Sequence, residues 1–190
     1  QILEQNTVVR RLACLHSLAS HAADVSADLA VFRKVSERVP GTAIEDRSML
    51  LPGLRAIKSA AELNLMKRAA EATAAGYQAA MRTIQPGMTE AQVQRAMEAA
   101  FVEDGADGTA YGSIVGGGVN ATVLHYDRNS QPLADGDVLL IDAGAQVGGY
   151  ACDVTRAFPV SGKFTPEQRE IYDLVLKAEL AAIRAARPGK

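Results

Sequence analysis

The chain has 190 residues, of which 48% are apolar and 22% charged, and its formal net charge is -2. This composition fits a folded globular protein of one domain, or of one domain plus part of another. It excludes a strongly basic nucleic-acid surface, and no stretch is long and apolar enough to span a bilayer, so no nucleic acid and no membrane is expected as partner. Cys14 and Cys152 form neither a metal-spaced pair nor a disulfide framework, which points to a reducing, cytoplasmic setting.

Residues 6–36 are rich in Leu, Ala, Val and Arg at roughly helical spacing, and Val9, Leu12, Leu15, Leu18 and Ala19 predict one helical stripe. Residues 37–53 carry two prolines and two glycines and read as a connector. Ser59 as N-cap and Glu62 three residues on predict a capping box, opening a long helix that stops near Gln85-Pro86-Gly87. Thr89 opens the next helix and Gly105 ends it. Residues 109–127 then mix Tyr, Ile and Val with glycine. Residues 138–142, VLLID, predict an apolar strand, and 147–160 predict its antiparallel partner. A third long helix starts at Thr165 with Pro166 at its first position and ends at Arg187-Pro188-Gly189. The order predicts an α+β fold with helices packed on one face of an antiparallel sheet. The echo between AAMRTIQPG (79–87) and AAIRAARPG (181–189) points to a duplicated unit of helices and sheet, its second copy beginning near residue 171.

Asp142 ends the apolar run VLLI, where a carboxylate is costly unless paired, hydrogen-bonded or metal-bound. Folding 138–158 as a hairpin about Val147-Gly148 sets Asp142 directly opposite Asp153, on the same face of the sheet. Two carboxylates so close repel each other, and a pair of cations sharing a water nucleophile removes that penalty. The rival reading makes Asp142 the start of a turn and Asp153 a surface strand residue. Cys152 is expected on the opposite face of the strand as a small core residue, and Arg156 is expected to pair with a carboxylate. Gly116-Gly117-Gly118 does not spell a phosphate loop and is read as close backbone packing near a substrate.

The segment GDVLLIDAGAQVGGYACDVTRAFPVSGKFTPEQREIYDLVL (136–176) resembles the X-Pro aminopeptidases and X-Pro dipeptidases (prolidases) of the creatinase/methionine aminopeptidase superfamily. RAIKSAAEL (55–63), QPGMTEAQV (85–93) and YGSIVGGGVNATVLHYDRN (111–129) fit the same family in the same order. The resemblance implies the first half of a pita-bread fold over residues 54–190, with residues 1–53 as the tail of a smaller N-terminal domain and connector. It implies a metal-dependent exopeptidase that hydrolyses the bond before proline, so a peptide with proline in second position is the expected partner. A homodimer or higher assembly is expected of the full-length protein.

By the resemblance, Asp142 and Asp153 are the first two of five metal ligands. They serve two divalent ions, with manganese the first choice and cobalt or zinc the alternatives. The remaining ligands, one His and two Glu, belong to the second half of the fold, so a partial and inactive portion of a longer enzyme is expected, with an exposed helix face and sheet edge. His125 aligns with an active-site histidine that binds substrate or steadies the transition state. Tyr111 aligns with a position near the metal, either substrate-binding or only satisfying the sheet. Methionine aminopeptidase is the rival within enzymes, and a noncatalytic scaffold of the same fold is the rival outside them.

Overall fold

The computed structural model describes residues 10–16 and 24–189. The chain divides into two compact units, Gln1–Ser59 and Ala60–Lys190.

In the first unit, strand β1 (Arg11–Cys14) pairs in parallel with β2 (Ala43–Asp46), with Leu12 opposite Ile44. Helix α1 (Ala27–Arg38) is capped by Ser26, whose Oγ accepts from the Leu29 amide at 3.3 Å. The helix expected over 6–36 is therefore not continuous: among the described residues of that span, 11–14 are extended and the helix begins at Ala27. A parallel partner at Ala43–Asp46 satisfies the backbone of β1 and buries Cys14, which outweighs a weak helical stripe. Val9, Leu18 and Ala19 lie outside the described residues. The expected connector also holds structure, namely β2 and the short helix α2 (Leu50–Ala56). Pro52 sits in the first turn of α2, where a missing amide costs little.

The second unit starts with α3 (Ala60–Thr83) and α4 (Glu90–Glu103), which pack closely on each other. The approach depends on Gly76: a Cβ there would lie 2.2 Å from Cε1 of Phe101. Thr89 and Gln92 form a reciprocal capping box at the start of α4, and Gly105 takes a left-handed φ of 85° just beyond its end. Two antiparallel three-stranded sheets follow. One orders β3 (Gly108–Thr109), β6 (Ala145–Val147) and β7 (Tyr150–Ala151); the other orders β4 (Ile114–Gly117), β5 (Val138–Ala143) and β8 (Val154–Pro159). Leu139, Ile141 and Ala143 on β5 are fully buried and join Val115, Met97 and Phe101 in the core. Val138, Leu140 and Asp142 alternate to the other face and are half-buried. Helix α5 (Pro166–Ala185) opens with a capping box between Thr165 and Gln168, with Pro166 in the first turn, and none of its residues is buried. The predicted α+β class with antiparallel sheets holds for this unit.

The hairpin register differs from the sequence expectation. The turn falls on Gly148-Gly149, with φ of 58° and 81°, and Val147 pairs with Tyr150. A two-residue hairpin turn of this kind needs positive φ at both central residues, which two glycines supply and Val147 does not. Asp142 consequently faces Thr155, and Asp153 lies diagonal to it rather than opposite. The shift is by two residues, so both aspartates still point to the same face.

Candidate metal centre

Asp142 stands near the end of β5, and Asp153 lies just before β8. Gly144 brings them together. The carbonyl of Cys152 passes so close that a Cβ on residue 144 would lie 1.7 Å from its oxygen. Only glycine admits that crossing, which gives the Asp-Ala-Gly run a physical reason. Ala110 donates its amide to the Gly144 carbonyl at 2.8 Å, and Thr109 pairs with Ala145. These bonds deliver the next residue, Tyr111, to the pair.

The Tyr111 hydroxyl lies 2.5 Å from Oδ1 of Asp142 and 2.9 Å from Oδ1 of Asp153, donating to the pair. Burial, together with the hydrogen bonds to Asp142 and Asp153, pushes the Tyr111 pKa well above the usual tyrosine value. Asp142 and Tyr111 are half-buried, and Asp153 is exposed. Among the described residues, no group of three or more His, Cys, Asp or Glu side chains converges into a complete metal site. Two carboxylates and a tyrosine hydroxyl are therefore gathered here.

His125 lies apart from this group. It is exposed, with a left-handed φ of 52°, on the loop after the 3-10 turn Gly118–Thr122. The loop is held from below by Glu90, the first residue of α4, whose side chain is fully buried. Its carboxylate accepts from the Gly117 amide (2.8 Å), the Asn120 side chain (2.9 Å), the Tyr126 hydroxyl (2.9 Å) and the Gln131 amide (2.9 Å). Burial opposes its charge, but these four bonds overcome the penalty and hold its pKa below the usual carboxylate value. Asn129, buried with φ of 44°, accepts from the Val115 amide at 3.0 Å and donates to the Ser113 carbonyl at 2.6 Å. Residues on both sides of His125 are thus pinned to the core.

The structure brings Tyr111, Asp142 and Asp153 together and leaves His125 without a hydrogen bond to any of them. Cys152 packs partly against the core, as expected, and Arg156 pairs with Glu179 of α5 at 3.8 Å. Close packing at Gly116-Gly117-Gly118 is against the protein itself: added Cβ atoms would meet the Asn120 carbonyl at 2.9 Å, Leu133 at 2.5 Å and Asp137 at 2.8 Å. Sequence reasoning missed Glu90 and Asn129. A first-turn glutamate after an N-cap threonine reads as a solvated helix-dipole residue, and nothing local marks its burial.

Residues 64–190 match the model of metallopeptidase family M24. The chain is 47% identical over 146 residues to the Xaa-Pro aminopeptidase of Haemophilus influenzae, covering 77% of this chain and 34% of that protein. It is 42% identical over 168 residues to the Xaa-Pro aminopeptidase of Escherichia coli, covering 87% and 38%. Among solved structures, proline aminopeptidase P II from Yersinia pestis superposes with a TM-score of 0.77 at 42% identity, covering 86% of this chain and 38% of that one. Zinc-substituted E. coli aminopeptidase P in complex with product gives 0.76 at 41% identity, covering 85% and 37%. The chain spans little more than a third of the length of these relatives. The matched segment includes both aspartates, Tyr111 and the helices and sheets that hold them, so the antiparallel core is that of the pita-bread enzymes and the chain belongs to metallopeptidase family M24.

Proposed function

We propose that this chain is part of a metal-dependent exopeptidase that cleaves the peptide bond before proline, with Asp142 and Asp153 as two ligands of its metal centre. The observation that carries this reading is the Tyr111 hydroxyl bonded to both carboxylates at once. Two carboxylates gathered on one sheet face beside a tyrosine hydroxyl fit a hard or borderline divalent cation. The names of the relatives supply the substrate class and favour an aminopeptidase over a dipeptidase. Manganese is the first choice for an oxygen-rich set, two ions rather than one, with zinc and cobalt as alternatives. When bound, such ions supply Lewis acidity and an activated water.

The chain's own residues do the rest. Tyr111 orients the two carboxylates through the bonds of its hydroxyl to both. His125, on its pinned loop, donates from its ring to the scissile carbonyl as negative charge develops. The contact boundary at Ser59 supports reading the earlier residues as the tail of a separate N-terminal domain. Two free cysteines fit a reducing cytoplasm.

The test is a manganese titration of the 190-residue chain alongside an Ala-Pro peptide assay. Weak manganese binding that Asp142→Asn removes, with no turnover, is the expected result. Turnover by the unmutated chain that Asp142→Asn abolishes would overturn the view that its ligand set is partial. In a longer protein carrying this segment, cleavage of Ala-Pro peptides but not of Met-Ala separates the proposal from methionine aminopeptidase. Absence of any metal binding there favours the noncatalytic scaffold.

A further inference from the structure

Tyr77 lies on α3, beneath the sheet that carries the two aspartates on its other face. Its ring is buried, with its centroid 6.2 Å from that of Phe158. Its hydroxyl meets the carbonyls of Ile141, at 3.1 Å, and of Val154. Ile141 precedes Asp142, and Val154 follows Asp153. Ala143 and Val154 are also the pair at which regular pairing of β5 with β8 ends. One hydroxyl therefore touches the backbone next to each of the two aspartates, one on each strand.

Filling this space needs only a phenyl ring, so packing by itself leaves the hydroxyl unexplained. Its effect is geometric. Beyond Ala143 the chain crosses Cys152 at Gly144, and the two strands no longer hold each other by an unbroken ladder. The separation of the carboxylates then depends on what bridges the strands at this point. Tyr111 bridges them from the front, through the side chains. Tyr77 bridges them from behind, through the backbone.

We propose that Tyr77 is a positioning residue for the metal-binding pair, fixing the separation of Asp142 and Asp153 from the back of the sheet through the bonds of its hydroxyl to both strands. The proposal rests on reading those aspartates as metal ligands.

The test compares Tyr77→Phe with the unmutated 190-residue chain by carboxyl-carbon NMR of Asp142 and Asp153 without metal, and by manganese-induced broadening of the same signals. Val93→Ala, a core truncation on α4, controls for general loosening. Tyr77→Phe is expected to shift both carboxyl signals and to weaken manganese binding roughly tenfold, the scale of losing a group that orients a ligand. Val93→Ala is expected to lower stability without either change. Unmoved carboxyl signals and unchanged affinity in a folded Tyr77→Phe chain would overturn the proposal, as would equal changes in Val93→Ala. If manganese broadens neither signal in the unmutated chain, the metal reading fails, and the metal-free shifts still decide the role of Tyr77. If Tyr77→Phe does not fold, the hydroxyl proton of Tyr77 in the unmutated chain decides: a slowly exchanging proton supports the bonds to the Ile141 and Val154 carbonyls, and free exchange overturns them.

Discussion

Helices α3 and α5 end in related sequences, AAMRTIQPG and AAIRAARPG, yet they meet opposite surroundings. Helix α3 buries Ala69, Ala72, Thr73, Gly76, Tyr77 and Ala80 against α4 and the sheets. Helix α5 buries nothing: Ile171 is 61% exposed and Leu174 is 64% exposed. Between α5 and strands β5 and β8 lies a cleft of about 560 Å³, lined mainly by apolar side chains including Val138, Leu140, Ile171 and Val175. The same strand β5 therefore faces a close-packed core with its odd residues and an open cleft with its even ones. An amphipathic pattern makes a helix, but burial needs a partner surface of matching shape. The packed side supplies the rigidity, and the open side presents the carboxylates.

The sharpest way to break this comparison is to remove a core side chain from the packed side. Phe101→Ala leaves a cavity beneath α3 and should cost about 4 kcal/mol in urea unfolding. A loss under half that size would mean the two sides are less different than described. Gly144→Ala places a methyl group against the Cys152 carbonyl and should cost about 3 kcal/mol through overpacking. It should also weaken manganese binding, because the crossing strand carries Asp153; unchanged binding would separate the crossing from the site.

Glu90→Gln sharpens the polar half of the packed side. It replaces a four-bond acceptor with a group that brings its own donors, and should cost about 2 kcal/mol at neutral pH. The sign of the pH effect follows from the lowered pKa of Glu90. The unfolded chain binds this proton more readily, so the stabilisation is complete above the ordinary glutamate pKa of about 4.3 and is lost as the pH falls below it through the folded value. Acid unfolding of Glu90→Gln should be correspondingly flatter; a parallel curve would show that other carboxylates govern it. The smallest effect belongs to α5. Leu174→Ala should change stability by no more than about 0.5 kcal/mol, and a loss several times larger would show that α5 is covered in solution.

How legible each part was follows the range of its cause. Helix starts and stops were readable because caps act within three or four residues: Thr89, Thr165 and Gly105 stand where the pattern placed them. The shared face of Asp142 and Asp153 was readable because side chains alternate along a strand, so a two-residue slip left it unchanged. Their diagonal pairing was not, because the turn was assigned one residue early. Strand β1 was hidden because its partner lies some thirty residues away and propensity does not report pairing.

The sequence by itself determined the helices of the second unit, the family motifs and the shared face of Asp142 and Asp153, since each is written in neighbouring residues. Only the tertiary structure decided that Glu90 is buried beneath the His125 loop, that Tyr77 joins the two strands from behind, and that α5 stands open. Those facts depend on which distant surfaces meet, and packing free energy is settled by contact rather than by adjacency in the chain.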